Sequence, residues 1–387
     1  MVTPAVTEWT RRSLIGAGTA ALAVRVRPLG AQPAATASAR VEVNFVGDGL
    51  ELPPSAYADL LARLARGGVE ADEYSRGGAV EALEKQFAAL LGKEAAVFLP
   101  SGTLANHLAV RTLAGARRRV LVQDVSHLYN DSGDCAQQLS ELTLVPLVPG
   151  RATFTWDEAS AAIDRGANGR VPAPVGAISI ESPVRRMHGE AFEFSEMRRI
   201  SEEARRRGIG MHLDGARLFV ACAYSGRAPA EYAGLFDTVY VSLWKCFNSG
   251  GGTILAGPAS LLANLYNVRR MFGGALWNAW PYAAVARHYA EGYLGRLTAA
   301  VKRSEELLGS LQQAPEKFAV ERVQNGTSLF RLKPHTRDPA AFRQRLAAKG
   351  ILLPEPDGDG FWLKVNESLA QAQVRTDALR AAMEAAV

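Results

Sequence analysis

From about residue 41 onward the chain alternates short apolar, β-branched runs with segments whose apolar residues recur every three or four positions. That is the pattern of a sheet covered by helices. Strands are expected over Ala95–Leu99 and over 120–122, 177–180, 210–213, 238–243 and 253–256. Helices are expected over Gly78–Leu91, 104–113, 195–207 and, as one long element, about 282–311. Beyond that the rhythm changes to a strand at 328–332, a helix at 339–349, a strand at 361–365 and a last helix starting at Asp377. The reading is an α/β chain in three parts: a leader over 1–37, a large domain over 38–280 with a mostly parallel sheet, and a linking helix with a small C-terminal α/β domain over 281–387.

Composition narrows the classes. Of 387 residues, 48% are apolar and 21% charged, which suits a soluble globular chain and excludes disorder, collagen and a disulfide scaffold. The 44 Lys and Arg exceed the 39 Asp and Glu by five, but they are scattered and do not interleave with aromatics, so no nucleic-acid groove is expected. Cys135, Cys222 and Cys246 form no CxxC pair and the six histidines no HExxH, so thiols are expected rather than a metal site or disulfides. In the first part, Thr10-Arg11-Arg12-Ser13-Leu14-Ile15 opens a weakly apolar run to Val24, and Leu29-Gly30-Ala31 would suit a peptidase. This resembles a twin-arginine export leader, and the run falls short of the ~20 residues a bilayer span needs. It reads as a removable address and not a stable membrane anchor, which would place the protein in the periplasm or outside. A disordered basic tail on a cytoplasmic protein is the alternative. Gly16-Ala17-Gly18-Thr19-Ala20-Ala21 fits a dinucleotide pattern but follows Arg-Arg-Ser where a buried strand should stand, and is rejected.

Ligands of an open α/β sheet collect where strands end and helices begin. Pro100-Ser101-Gly102-Thr103 combines free N–H groups, a close-approach glycine and two hydroxyls, which makes an anion cradle, although Ser101 and Thr103 serve equally as helix caps. His127 follows the strand at 120–122. Asp214, leaving the apolar run 209–213, needs a partner if buried, and Arg217 is one candidate. Lys245, between aromatic and apolar neighbours beside Gly250-Gly251-Gly252, is either an ordinary surface charge or a desolvated amine whose lowered pKa makes it nucleophilic. Taken together, with 31 positions from Asp214 to Lys245, the four sites suit pyridoxal phosphate. Its aldehyde needs an amine, its ring nitrogen a carboxylate and its phosphate N–H donors.

From Val43 to about Glu291 the chain resembles the low-specificity threonine aldolases within the β-eliminating lyase family of fold-type I pyridoxal-phosphate enzymes. The motifs that carry the likeness are Ala71-Asp72-Glu73-Tyr74, Ser101-Gly102-Thr103-Leu104-Ala105-Asn106, Ser126-His127, His212-Leu213-Asp214-Gly215-Ala216-Arg217, Ser242 to Lys245, and Arg269-Arg270-Met271-Phe272-Gly273-Gly274. The resemblance implies that Lys245 carries the cofactor aldehyde, Asp214 pairs with the ring nitrogen, His127 stacks on the ring, and Gly102 and Thr103, with Ser101 and Ser242, hold the phosphate. His127 is also the expected base, because an ordinary imidazole pKa of about 6.5 suits proton transfer near neutrality. The resemblance puts Arg217 near the ring oxygen. It also implies a homodimer or homotetramer with sites at the subunit interface, where Arg269 or Arg270 reaches a neighbour's phosphate.

The likeness thins where substrate is read. The family's Ser-Asp becomes Gly47-Asp48, a glutamate expected after His127 becomes Ser132, and a histidine is replaced within Glu181-Ser182-Pro183-Val184. Asp48 and Arg185 are the expected substrate contacts, with Arg186 as the alternative arginine. Phe361-Trp362-Leu363-Lys364 stands near the place of a C-terminal arginine. The expected reaction is cleavage of a threonine-like amino acid to glycine and an aldehyde. The competing readings are another β-lyase, an aminotransferase, or a non-catalytic binder that keeps the fold.

Overall fold

The computed structural model describes residues 43–387, so the leader and both readings of it lie outside the described residues. Seven strands form the main sheet in the order Ala95–Leu99, Thr253–Gly257, Thr238–Ser242, Gly210–Asp214, Val175–Glu181, Arg119–Gln123, Thr143–Leu147. Thr253–Gly257 runs antiparallel to both neighbours, and the other six share one direction. Val175–Glu181 is buried at every position, as a strand covered on both faces must be. The α/β class and the mostly parallel sheet expected from the sequence are therefore present. Thr143–Leu147 was not anticipated. It lies at the sheet edge and contains Pro146, which an edge tolerates because no ladder needs the missing N–H.

The single helix expected over 282–311 is instead two, Trp280–Ala290 and Tyr293–Gln312. Gly292, at φ 65°, turns the chain in the left-handed region between them. Buried Ala283, Ala286 and Ala290 continue into Tyr293, Leu297 and Ala300, so the apolar spacing runs through a break that only the glycine marks.

Beyond Tyr293–Gln312 a three-stranded antiparallel sheet, Phe318–Arg322, Leu329–Pro334 and Phe361–Lys364, packs on its own core, which includes Leu307, Leu311, Phe330, Phe342, Phe361 and Leu379. Val43 and Phe45 belong to this second core, and Val43–Asn44 pairs in parallel with Ile351–Leu352. The parallel direction puts Leu99, Gln123, Glu181, Asp214 and Ser242 on one edge of the main sheet, with Gly252 leading into the reversed strand beside them. Among the described residues no helix is long and apolar enough to cross a membrane.

Candidate active site

A cavity of about 700 Å³ opens at that edge. Asp48, His127, Arg185, Arg217 and Lys245 line it, and Ser328, Leu329 and Lys364 close it from the C-terminal sheet. Lys245 sits in the single turn Leu243–Cys246 that follows Thr238–Ser242. Burial, and then the Arg217 guanidinium, lower its pKa, while Asp214, Asp48 and Glu181 offset part of this. A partly desolvated ammonium loses its proton more easily, and the free amine is the nucleophile.

Asp214 ends the neighbouring strand, 2% exposed. Its Oδ2 accepts from Asn106 Nδ2 at 2.6 Å and its Oδ1 from the Ala216 N–H at 3.2 Å. Asn106 Oδ1 lies 2.9 Å from His212 Nε2, and His212 Nδ1 lies 2.9 Å from Thr238 Oγ1. With the amide nitrogen turned to the carboxylate, the amide oxygen can only accept, so Nε2 carries the imidazole proton and the Thr238 hydroxyl donates to Nδ1. Burial pushes His212 down to about 4, so it stays neutral. Asp214 is thus an oriented anion held by a buried chain of polar groups.

Arg217 is not the partner of Asp214. Its fork meets Asp48, Nε to Oδ1 at 2.9 Å and Nη2 to Oδ2 at 2.8 Å, with Lys364 Nζ 3.6 Å from Oδ1. Burial alone would raise the Asp48 pKa, but Arg217 outweighs it and brings Asp48 to about 2. Lys364 therefore reaches the cavity from near the place where a C-terminal arginine was expected.

His127 begins the turn His127–Asn130, and its Nδ1 lies 3.4 Å from Asp131 Oδ2. Asp131 also receives Arg185 Nη2 at 2.9 Å and Arg186 Nη2 at 2.6 Å. The Arg186 hydrogen bond, ahead of Arg185, holds Asp131 at about 2. Arg185 borders the cavity, whereas Arg186 is not among its lining residues. Asp131 and Glu181 were not singled out from the sequence as site residues. Glu181 accepts the His127 N–H at 2.6 Å and the Arg185 N–H at 2.9 Å, and burial, then Asp214, raise its pKa.

Ser101 caps the helix Gly102–Ala114 through the Leu104 N–H at 3.3 Å, so the capping role is real. Gly102 and Thr103 occupy the first turn of that helix, where amides lack helical acceptors. A Cβ on Gly102 would run into the Tyr240 hydroxyl, and Ser242 Oγ is buried without a hydrogen-bond partner among the described residues. Ser101 and Thr103 border a separate space of about 280 Å³. First-turn amides and an orphaned hydroxyl suit a phosphate, Lys245 an aldehyde and Asp214 a ring nitrogen, so the residues fit pyridoxal phosphate.

Two other motif residues have structural duties. Arg269 is buried and donates to the carbonyls of Phe98 at 2.5 Å and of Tyr74 and Ser75 at 3.3 Å, which leaves Arg270 as the arginine able to face outward. Arg270 is exposed, its guanidinium 4.5 Å from the Tyr74 ring centroid, and is not part of the main cavity. Asp72 Oδ1 accepts the Ala279 and Trp280 N–H groups at 2.8 and 2.6 Å and so caps the helix Trp280–Ala290.

The model of the β-eliminating lyase family matches residues 56–332. The chain belongs to this family. It is 31% identical over 248 residues to aldolase vrtJ of Penicillium aethiopicum, covering 63% of this chain and 62% of that one. It is 28% identical over 218 residues to a low-specificity L-threonine aldolase of Candida albicans, covering 56% and 58%. The chain thus spans about three fifths of these curated relatives. The crystal structure of a putative L-allo-threonine aldolase from Listeria monocytogenes superposes with a TM-score of 0.72 at 26% identity, covering 90% of this chain and 98% of that one. The family and the fold-type I architecture inferred from the motifs are thereby shown.

Proposed function

We propose that the chain is a pyridoxal-phosphate-dependent lyase that cleaves a threonine-like β-hydroxy-α-amino acid between Cα and Cβ, giving glycine and an aldehyde. The observation that carries this reading is the pairing, on adjacent strand ends, of the pKa-lowered Lys245 amine with an oriented Asp214 carboxylate at one cavity. The family and its threonine aldolase relatives support it. Pyridoxal phosphate, when bound, supplies an electron sink for the pair released as a bond to Cα breaks.

The chain's own residues do the rest. Asp214 is fixed by Asn106 so that its charge stands ready for a ring nitrogen. His127, with Nδ1 turned to Asp131, leaves Nε2 to take the β-hydroxyl proton. Arg185, its side chain 52% exposed, is the fork for the substrate carboxylate, which must share or displace the contact with Asp131. Asp48 keeps Arg217 in place beside the amine.

Lys245→Ala should abolish covalent cofactor attachment and all lyase activity. Borohydride reduction followed by peptide mapping should find the pyridoxyl group on Lys245 of the unaltered chain, and a variant that keeps both properties removes the assignment. Incubation with L-threonine, L-allo-threonine and phenylserine should give glycine plus aldehyde. Pyruvate and ammonia, or a keto acid, would instead assign elimination or transamination to the same residues.

We further propose a homodimer or homotetramer with its sites at the subunit interface. Exposed Met271 and Trp277, at 66% and 58%, beside Arg270 and Tyr74 support such a face, and light scattering tests it. Export by the twin-arginine route rests on the leader motif, and fractionation that finds only full-length cytoplasmic protein would refute it.

A further inference from the structure

Val175–Glu181 ends in a carboxylate that is 4% exposed, and the two arginines beside it face Asp131 and Asp48 instead. Burying such a group is costly unless hydrogen bonds replace its water. Glu181 is fixed first through its backbone. Gln123 Oε1 accepts from the Glu181 N–H at 2.7 Å, and Gln123 Nε2 donates to the Glu181 carbonyl at 2.9 Å. Each side-chain oxygen then takes one amide, Oε2 from His127 at 2.6 Å and Oε1 from Arg185 at 2.9 Å.

Those amides begin two one-turn helices, His127–Asn130 and Arg185–Met187. Neither is capped by the residue before it. Ser126 makes no side-chain cap, its buried Oγ having no hydrogen-bond partner among the described residues, and the Val184 side chain has no acceptor to offer. Both His127 and Arg185 line the cavity. One carboxylate from the sheet is therefore the common cap of the two turns that carry them.

We propose that Glu181 is a positioning residue: its two oxygens hold the His127 and Arg185 backbones in fixed relation, so that imidazole and guanidinium keep one geometry toward a bound substrate. The roles of those two side chains rest on the function proposed above, but the shared cap does not.

The test is hydrogen exchange by mass spectrometry on the full chain, with and without pyridoxal phosphate. Glu181→Gln keeps shape and one acceptor, and Glu181→Met keeps volume and none. In the Gln variant, peptides spanning 125–131 or 183–188 should exchange at least tenfold faster, and in the Met variant both should, while peptides of Thr238–Ser242 stay protected. The Gln variant should retain cofactor absorbance yet lose about tenfold in kcat through His127 or gain about tenfold in KM through Arg185, according to which amide is freed. Unchanged exchange in both segments overturns the proposal, and so does exchange that rises uniformly along the chain. If the unaltered chain carries no pyridoxyl group on Lys245, the proposed function fails while the exchange data still decide the role of Glu181.

Discussion

Asn106→Asp changes one atom of the chain that orients Asp214. Asn106 Nδ2 donates to Asp214 Oδ2 at 2.6 Å, and Asn106 Oδ1 accepts from His212 Nε2 at 2.9 Å. The aspartate keeps the acceptor toward His212 and replaces the donor toward Asp214 by a second carboxylate oxygen. Two anions about 3 Å apart repel by roughly 5 kcal/mol at an effective dielectric of 20. Holding a proton on a carboxyl at pH 7 costs about 4 kcal/mol. The pair therefore keeps one shared proton near neutrality. The unfolded chain releases that proton above about pH 4, so the folded state binds one more proton and stability falls by about 1.4 kcal/mol per pH unit until the shared proton is lost. Urea unfolding of the cofactor-free chain at pH 5, 6 and 7 should show the variant losing about 2.7 kcal/mol more than the parent over that interval. The proton also cancels the charge meant for a ring nitrogen, so pyridoxal phosphate should bind more weakly. Parallel stability profiles would mean that the Asn106 amide does not donate to Asp214, and the orientation argument for His212 would fall with it.

Glu181 has its pKa raised by burial and then by Asp214, so its neutral form fits the fold best: that contribution is present below its ordinary 4.5 and is lost as pH rises above it. Gln does not titrate, so the stability of Glu181→Gln relative to the parent should improve from about pH 5 to about pH 8 in thermal melts, and a constant gap would contradict this. Asp48 has its pKa lowered to about 2, so its contribution is present above 3.8 and lost as pH falls through 2. Asp48→Asn should cost about 3–5 kcal/mol in neutral urea unfolding, because Arg217 is then buried without its carboxylate, and a loss under about 1 kcal/mol would show that the pair is not structural. Gly102→Ala presses a methyl on the Tyr240 hydroxyl. It should cost about 1–3 kcal/mol and weaken cofactor binding measured by absorbance titration, and unaltered binding would remove Gly102 from the cradle.

Much of the frame was legible because it is written in local pattern. Short apolar, β-branched runs marked six of the seven main strands, and Lys245 and Asp214 stood out because a charge at the exit of a buried run is unusual. The edge strand Thr143–Leu147 escaped because its burial is incomplete and Pro146 reads as a breaker. The helix break at Gly292 escaped because apolar spacing continues across it. What makes the site work was largely illegible. Asn106 meets Asp214 across 108 positions, Arg217 meets Asp48 across 169, and Glu181 reaches His127 across 54. No short-range signal encodes such contacts. A buried polar residue at a strand end announces only that it must have partners, and the fold alone says which.

The partners that emerge share one logic. Arg217 already faces Asp48, Arg185 and Arg186 face Asp131, and Lys364 stands 3.6 Å from Asp48. Each of these arginines, and Lys364, thus faces a carboxylate of the protein. An incoming carboxylate gains little from a lone electrostatic attraction, since it exchanges one anion for another. The exchange becomes favourable when the same molecule also offers an amine to the site and a hydroxyl within reach of His127, so that several contacts form together. The aspartates thereby act as a threshold: a simple acid meets the same arginines and lacks the groups that would make displacing Asp131 worthwhile. Asp48 and Arg217, buried together at 9% and 10% side-chain exposure, form the harder pair to separate, whereas the Asp131 pairs lie nearer solvent. That difference is why substrate is placed at Arg185 and Arg217 is kept as part of the wall.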